Sequence, residues 1–477
     1  MKLDGIIGAS RIAAGGLKDF ATGLVHPTLR LGVTGLSRAG KTVFITALVH
    51  ALLNGGRLPV FEAMASGRLT RAYLEPQPDD DLPRFAYEDH LAALTAPDRR
   101  WPESTSRISQ LRLTLEYVPR GFFARHLHGG LLHIDIVDYP GEWLLDLPLM
   151  RMDYAQWSAA AVAASRQAPR AALAKDWHAH LAALDPLARA DETEAMRAAQ
   201  AFTAYLARCR KDDVSLSTLP PGRFLMPGDL AGSPLLTFAP LDVAAGAEFP
   251  AGSLGRLMAR RYDSYVAKIV KPFFFGHFAR LDRQIVLVDA LTALNAGPAA
   301  VAELQLALSQ ILACFRQGSN SIVSSLFGHR VNRILFAATK TDLLHHASHD
   351  RLEDILRMIV ADAAARAEYS GARIDVAALA AIRATREASV HQKGQELACI
   401  AGIPQAGEAV GAIHFDGATE AAIFPGELPD KPQAALDGSL AGHLKFVGFR
   451  PPLPRDGAFP HIRLDRALEF LLGDRLA

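Results

Sequence analysis

Continuous apolar runs along the chain predict a set of buried β-strands. Five runs are rich in Val, Ile, Leu and Ala and lack alternation: LRLGVTG (29–35), LLHIDIVDYPG (131–141), RQIVLVDAL (283–291), RILFAATKTD (333–342) and VAALAAIRATRE (376–387). Such runs are typical of parallel strands that helices cover on both faces. Three segments with helical character separate several of them: TVFITALVHALLN (42–54), AAVAELQLALSQILACFRQ (299–317) and HDRLEDILRMIVADAAARAEYS (349–370). This alternation predicts an open, mostly parallel α/β sheet.

One stretch has a different pattern. QLRLTLEYVP (110–119) alternates apolar and polar residues, which is typical of a strand with two unlike faces. We expect this strand to pair antiparallel with the strand at 131–138.

Between Trp143 and about Arg280 the pattern becomes helical and alanine-rich. Three helical stretches lie there: DYAQWSAAAVAASRQ (153–167), RAALAKDWHAHLAALDPLARA (170–190) and ETEAMRAAQAFTAYLARCRK (192–211). A Pro/Gly-rich stretch follows from Leu219 to Gly255. We therefore predict an α/β domain formed by 29–142 and 281–404, with a mainly helical insertion at 143–280.

The C-terminal segment 405–477 is rich in Gly, Pro and Phe and is predicted to be an α+β extension packed on the α/β domain. GAIHFDGA (411–418) and HLKFVGFRPP (443–452) are predicted strands, and RLDRALEFLLGD (463–474) is a predicted short helix.

Residues 1–28 are predicted to form an N-terminal helical segment. Their apolar residues recur at roughly helical spacing, so the helix packs on the following domain or binds a membrane surface or a partner. Arg11, Lys18 and Asp19 interrupt the apolar residues, which argues against a signal peptide. No run approaches the roughly 18 apolar residues that span a bilayer. We expect a cytoplasmic protein, with a peripheral position at a membrane surface as the alternative.

Composition changes this picture little. The 477 residues include 51 basic and 50 acidic side chains, so the formal net charge is +1. This balance gives no electrostatic reason to expect nucleic acid as a partner. The three cysteines, Cys209, Cys314 and Cys399, are scattered along the chain and do not have the spacing of metal ligands. Their odd number fits a reducing compartment better than a set of disulfide bonds.

GLSRAGKT (35–42) has the pattern of a phosphate-binding loop. It lies between a predicted strand and a predicted helix, where loop N–H groups and the helix dipole converge on a phosphate. Lys41 is expected to bridge the β- and γ-phosphates, and the Thr42 hydroxyl to ligate Mg²⁺. The nucleotide-binding residues predicted in this loop are Gly35, Ser37, Arg38, Ala39, Gly40, Lys41, Thr42 and Val43.

DYPG (138–141) closes the second apolar run, and its position suits a contact with Mg²⁺ and the γ-phosphate. Asp138 would contact the metal from its second sphere, while the Gly141 N–H would meet the phosphate. Alone, this pattern is common; downstream of a phosphate loop it becomes informative. WPESTSRISQ (101–110) offers a further hydroxyl from Ser104, Thr105 or Ser106. We favour Thr105 as a Mg²⁺ ligand and catalytic residue, whereas the alternative is that these residues only begin a strand.

TKTD (339–342) ends another buried strand and predicts guanine recognition. Asp342 can accept two hydrogen bonds from the guanine edge, whereas adenine would leave the carboxylate unpaired. The stem of Lys340 can lie along the base. In ATR (384–386), a backbone amide of Ala384 or Thr385 would meet the guanine oxygen. Thr339 replaces the more usual Asn, so a polar bridge back to the phosphate loop is less certain here.

The order of these motifs resembles the TRAFAC class of GTP-binding proteins. More closely, the whole chain resembles the YcjX-like family of bacterial P-loop proteins. The resemblance rests on GLSRAGKT, WPESTS, IDIVDYPGEWLLDLPL, KIVKPFFFGHFARLDRQIVLVD, AATKTD, AIRATRE, FRPP and PHIRLDRALEFLLGD. It implies a P-loop NTPase fold and a cytosolic nucleotide hydrolase linked to envelope stress, often paired with a membrane protein. We expect GTP and GDP as substrate and product with Mg²⁺, and a monomer or a nucleotide-dependent dimer.

Besides Lys41 and Thr105, which are candidate catalytic residues, two charged residues have candidate catalytic roles. Arg38 lies in a loop that resembles the GLYRTGKS-type loop of guanylate-binding proteins, where the arginine can act as an internal arginine finger. It would otherwise contact the ground-state phosphates or a switch segment, or be solvated or salt-bridged. Glu142 stands where small GTPases carry a glutamine that orients water. Its charge opposes the γ-phosphate unless it is protonated or paired, so a structural salt bridge is the alternative.

Two other functions remain open from the sequence alone. One is a regulatory nucleotide-binding scaffold with negligible hydrolysis, and the other is an ATPase of the same fold. The histidines of HLHGGLLH (126–133) and HHASH (345–349) lack a Cys or carboxylate at ligand spacing, so surface or turn histidines are expected. KPFFF (271–275) is interpreted as core or interdomain packing.

Overall fold

The computed structural model describes residues 27–35, 38–103, 107–120, 130–211, 218–313, 331–369, 371–392 and 394–477. The strands are β1 (Thr28–Gly35), β2 (Leu69–Leu74), β3 (Ser109–Tyr117), β4 (Leu131–Asp138), β5 (Arg283–Val288), β6 (Arg333–Ala338), β7 (Arg373–Ala378), β8 (Arg386–Gln392), β9 (Gln395–Gly402), β10 (Ala409–Val410), β11 (Ile413–His414) and β12 (Ala421–Ile423).

The α-helices in the same residues are α1 (Lys41–Leu53), α2 (Glu62–Ala65), α3 (Tyr87–Thr95), α4 (Tyr154–Ser165), α5 (Arg170–Leu173), α6 (Lys175–Ala182), α7 (Glu192–Cys209), α8 (Gly222–Leu225), α9 (Leu254–Tyr265), α10 (Lys271–Gly276), α11 (Ala290–Ala296), α12 (Pro298–Ala313), α13 (His349–Ile359), α14 (Ala361–Tyr369), α15 (Pro432–Leu436) and α16 (Leu464–Leu472). A 3₁₀ helix, Gly141–Arg151, follows β4, and a π-helical turn, Val266–Val270, joins α9 to α10.

A seven-stranded sheet forms the centre of the described part of the chain, in the order β2-β3-β4-β1-β5-β6-β7. Strands β4, β1, β5, β6 and β7 are parallel, and β3 pairs antiparallel with β4. Both the parallel sheet and the antiparallel strand predicted from the hydrophobic pattern are therefore confirmed. All six residues of β5 are buried, which is why its sequence does not alternate.

Helices cover both faces of this sheet. On one face, Ile285 and Leu287 pack in a hydrophobic cluster that includes α1 and the C-terminal helix α16. On the other face, Val286 and Val288 pack against α11, α12 and α13. Successive residues of β5 thus lie in different hydrophobic cores, one on each face of the sheet. The predicted α/β class is therefore confirmed.

Helices occupy most of the chain between β4 and β5. They enclose an aromatic core in which Trp157 stacks on Tyr262 with 5.2 Å between ring centroids and Trp177 stacks on Tyr205 at 4.9 Å. The same hydrophobic cluster reaches the end of β4 through Tyr139. These helices therefore pack directly against the sheet edge where the candidate site lies.

Three strand predictions were wrong in extent. The run predicted over 376–387 leaves the sheet after Ala378, because the chain then forms a bridge from Ala380 to Ile462 and continues into β8 of a separate three-stranded sheet. GAIHFDGA contributes only the two residues of β11.

HLKFVGFRPP is not a strand but a loop with an isolated bridge between Pro404 and Phe449. Its Val447 and Phe449 are apolar because they pack on Ile400 and Ile423, so burial without a ladder produced the misleading pattern.

Two further predictions bear on the membrane and on packing. No helix in the described ranges is long and apolar enough to cross a bilayer. The predicted N-terminal helix, 1–28, falls outside the described residues except for its last two. Phe273 and Phe274 are buried, as core packing requires, whereas Phe275 is 43% exposed.

Candidate functional site

Two glycines at the ends of the loop between β1 and α1 have the backbone that a phosphate-binding loop needs. Gly35 packs against β5: a methyl group there would lie 2.8 Å from the Leu287 carbonyl oxygen, so a larger residue does not fit. Gly40 has φ 82°, a left-handed conformation that glycine adopts without strain, and α1 begins at the next residue. Helix starts attract anions because first-turn N–H groups lack intrahelical acceptors.

The two cations of this loop differ in placement. Lys41 folds back over the loop, and its Nζ donates to the Gly35 carbonyl oxygen at 3.1 Å. Arg38 is exposed and has φ 61°, a left-handed conformation that is uncommon for a residue with a side chain. Ala39 is buried beneath the loop, at 1% exposure. Ser37 lies outside the described residues.

Two of the oxygen groups predicted to hold Mg²⁺, those of Thr42 and Asp138, lie at the same end of the sheet. Thr42 is in the first turn of α1, and its hydroxyl points toward the Glu103 carbonyl oxygen at 3.5 Å. Asp138 ends β4 in register with Val33 of β1, and it is 1% exposed. A hydroxyl and a carboxylate are hard oxygen ligands, which fit Mg²⁺. Thr105, with Ser104 and Ser106, lies outside the described residues, directly after Glu103.

Glu142 is buried and ion-paired. Its Oε1 lies 2.8 Å from Nη2 of Arg210, the C-cap residue directly after α7. A carboxylate close to the γ-phosphate must be protonated or paired, and Glu142 is paired. Gly141, which precedes it, is also buried at the start of the 3₁₀ helix.

The segment around Gly222 packs tightly on this 3₁₀ helix. A methyl group on Gly222 would lie 1.8 Å from the Glu142 carbonyl oxygen, which leaves room for glycine alone. The Gly222 N–H donates to Asp146 Oδ1 at 2.6 Å, and the Tyr265 hydroxyl donates to the other carboxylate oxygen. Burial raises the pKa of Asp146 to about 6, and these hydrogen bonds oppose the rise. No motif in the sequence indicated this network, because its members lie far apart along the chain.

The structure brings TKTD and ATR together. Asp342 is 7% exposed, and its Oδ2 accepts the Ala384 N–H at 2.8 Å. The Thr385 hydroxyl donates to the Asp342 carbonyl oxygen at 2.5 Å. Burial raises the pKa of Asp342 to about 6, and the Ala384 N–H opposes the rise because it stabilises the carboxylate. In this structure the Ala384 amide thus orients Asp342.

Lys340 and Thr339 both turn toward β5. Lys340 has φ 60°, and its Nζ lies 2.5 Å from Asp289 Oδ2. The Thr339 hydroxyl donates to the Val288 carbonyl oxygen at 3.4 Å. Asp289 was missed by the sequence analysis, although its position at the end of the run RQIVLVDAL was a usable signal. It also accepts the Thr292 N–H at the start of α11.

Comparisons with known proteins agree with the motif order. The model of the YcjX-like family, DUF463, matches residues 29–476. A protein named "Ras-like GTPase YcjX" from Escherichia coli is 38% identical over 459 residues, covering 94% of this chain and 96% of that protein. A protein of the same name from Shewanella oneidensis is 36% identical over 490 aligned positions, covering 95% and 96%. The resemblance inferred from the motifs is confirmed, and with it the P-loop NTPase fold. The chain belongs to the YcjX-like family.

Proposed function

We propose that the chain binds GTP with Mg²⁺ and hydrolyses it to GDP and phosphate, acting as a nucleotide-dependent switch. Two relatives named as GTPases support a GTPase-type function. The observation that carries the proposal is the buried Asp342 carboxylate, held by the Ala384 N–H beyond the end of β6. Strand β6 is parallel to β5 and β5 to β1, so this carboxylate and the loop at 35–42 share one edge of the sheet.

Guanine satisfies this carboxylate better than adenine does. Its N1–H and N2–H₂ groups are two adjacent donors, whereas adenine presents an acceptor at N1 and no amino group at C2. A buried carboxylate beside adenine would lose its hydration and gain no partner, which costs free energy of binding. Base choice would therefore rest on Asp342, and the Lys340 stem would lie along the base.

The phosphates would bind over the start of α1. Backbone N–H groups of Ala39 through Val43 would donate to the β-phosphate, and the Lys41 ammonium would add charge between the β- and γ-phosphates. Thr42, Thr105 and Asp138 would hold Mg²⁺, which supplies positive charge to the phosphate oxygens. The Gly141 N–H would contact the γ-phosphate.

Arg38 is proposed to stabilise charge during hydrolysis. A residue with a side chain at φ 61° carries roughly 1–2 kcal/mol of backbone strain that glycine would avoid. Glycine would adopt this backbone conformation without the strain. The arginine at this position therefore supports a functional role for its guanidinium group. Placed against the β–γ bridging oxygen, the guanidinium would neutralise charge as that bond breaks.

Glu142 supports two different functions. Paired with Arg210, it can accept a hydrogen bond from the attacking water with less repulsion toward the γ-phosphate. The same ion pair also favours a second function, a regulatory nucleotide-binding module with negligible hydrolysis, because it engages the carboxylate structurally.

Envelope stress and a membrane-protein partner are proposed from the family resemblance alone.

Phosphate release with GTP and with ATP tests the proposal. We expect turnover with GTP that needs Mg²⁺ and that Lys41→Ala abolishes. Tight GTP binding without phosphate release would favour the regulatory module. Equal use of ATP and GTP would overturn the guanine assignment, and unchanged turnover in Lys41→Ala would overturn the phosphate site.

A further inference from the structure

Two histidines and a glutamate meet beside the base-recognition segments. His345 and His346 follow Asp342 closely, and Glu387 comes directly after ATR. His345 Nε2 lies 3.2 Å from Glu387 Oε2, and His346 Nδ1 lies 3.4 Å from the same oxygen. One ligand atom from each of the three residues lies within 4.8 Å of the other two. The fold thus supplies the carboxylate that the sequence around HHASH lacks.

Two of the three spacings match those of ligands around one metal ion. In tetrahedral zinc sites, nitrogen and oxygen ligands lie roughly 2.0–2.2 Å from the metal, which separates two ligands by about 3.3–3.6 Å. The distances from Glu387 Oε2 to the two imidazoles are close to these values. We propose that His345, His346 and Glu387 bind a divalent transition-metal cation of the zinc class, with a fourth position open to water.

The surroundings of the cluster suit such a site. Arg383 Nη2 donates to Glu387 Oε1 at 2.6 Å, which orients the carboxylate and leaves Oε2 directed at the histidines. The His346 side chain is 67% exposed, so a hydrated ion has an access path. His345 also borders a cavity of about 90 Å³ that is lined by Ser348 and Glu427, which is ample for a water ligand.

The competing explanation is a metal-free hydrogen bond from a neutral His345 to Glu387. In that case His345 Nε2 carries a proton, and its Nδ1 accepts the Ala347 N–H, which lies 3.4 Å away. That contact is longer than the usual range of about 2.7–3.2 Å, so it holds the tautomer weakly. A metal on Nε2 would displace the proton to Nδ1 at the loss of this one weak hydrogen bond.

The ligand types separate this site from the proposed Mg²⁺ site. Imidazole nitrogen favours zinc, copper or nickel, whereas Mg²⁺ prefers oxygen ligands. Thr42, Thr105 and Asp138 offer oxygen alone, so the two sites would select different ions.

Zinc binding to the full chain, stripped with a chelator and free of nucleotide, tests the proposal. Isothermal titration with Zn²⁺ should give about one ion per chain. His346→Ala should weaken binding by at least about tenfold, the smallest loss that even supporting residues of metal sites produce. Glu387→Gln should weaken it similarly. His414→Ala, which removes an exposed histidine of β11, is the matched control and should bind zinc as the unaltered chain does.

Each failure is recognisable. Absence of stoichiometric binding overturns the proposal, and so does equal affinity in His346→Ala, because the zinc would then lie on other histidines. Circular dichroism and the melting temperature of each variant, both measured in the presence of chelator, show whether the variants are folded. Since no nucleotide is present, the result does not depend on the proposed function.

A second readout does rest on the proposed function. A metal held by these residues joins the segment after Asp342 to the segment after Thr385, so zinc should tighten GDP binding in the unaltered chain and not in His346→Ala. If zinc binds but GDP affinity is unchanged, the metal site stands and its link to the base site is wrong.

Discussion

Asparagine in place of Asp342 isolates the contribution of one carboxylate to base choice. The substitution keeps the side-chain volume, and the Asn oxygen can still accept the Ala384 N–H that Asp342 accepts at 2.8 Å. The fold should therefore persist. What changes is the atom facing the base, because an acceptor oxygen is replaced by an NH₂ donor.

The size of the effect follows from the hydrogen bonds lost. Guanine offers two donors to the buried carboxylate, and a hydrogen bond to a charged group contributes about 1.5–3 kcal/mol. Their loss together corresponds to about 3–6 kcal/mol, or roughly 10²- to 10⁴-fold weaker binding at 1.4 kcal/mol per factor of ten. Xanthine carries an oxygen where guanine carries its amino group, so the Asn NH₂ can donate to it. The variant should prefer xanthine nucleotides.

Titration of GDP, XDP and ADP into the unaltered chain and Asp342→Asn measures these affinities. Asp437→Asn, a change of an exposed carboxylate, serves as the control and should leave all three affinities unchanged. A loss of GDP affinity below about tenfold in Asp342→Asn would refute the assignment of base recognition to Asp342. Equal binding of GDP and ADP by the unaltered chain would refute it independently.

Three further predictions concern pH, catalysis and stability. Because burial raises the pKa of Asp342 to about 6, GDP affinity should fall as pH drops below 6, where the carboxyl becomes protonated; Asp342→Asn should lack this dependence. The same raised pKa makes the folded state bind the proton more tightly than the unfolded chain, and Asp146 has a similar shift, so both groups add stability as pH falls from about 6 toward 4, which urea unfolding at each pH checks. Arg38→Ala should lower GTP turnover by about 10²–10³-fold with GDP affinity unchanged, whereas equal losses in both would assign Arg38 to binding alone. Arg210→Ala should cost about 1–3 kcal/mol in urea unfolding, because it leaves the Glu142 carboxylate buried without this partner, while Arg386→Ala, which breaks an exposed pair, should cost less than about 1 kcal/mol.

The parallel core could be predicted because its strands are buried on both faces. In β1, β4, β5 and β6 the apolar run and the strand nearly coincide, since every position of such a strand contacts a helix or a neighbouring strand. The phosphate loop was equally accessible, because its residues are contiguous and the glycines are set by backbone geometry. Gly40 illustrates this, since its left-handed conformation precedes the helix directly.

The rest depends on contacts between distant residues. The loop around Phe449 has the apolar pattern of a strand, but its burial comes from tertiary packing and not from a ladder. Glu142 meets Arg210 only because the helices between β4 and β5 fold back onto the sheet edge. Glu387 likewise reaches His345 from β8, whereas His345 lies in the segment after β6. No local pattern encodes such pairs. A single sequence therefore predicts the chemistry of each residue but not which distant residue it contacts.

The close packing of Gly222 on Glu142 limits how the site can change shape. With no space for even a methyl group between the two segments, Glu142 cannot shift toward Gly222 unless Gly222 retreats by a similar distance. Gly222 is tied in turn to Asp146, and Asp146 to Tyr265 at the end of α9. Movement of the segment after the DYPG motif toward Gly222 would therefore displace Gly222, Asp146 and Tyr265 in turn. The helices that enclose the aromatic core would move with them. The steric fit therefore predicts that those helices respond to movement at the candidate nucleotide-binding edge.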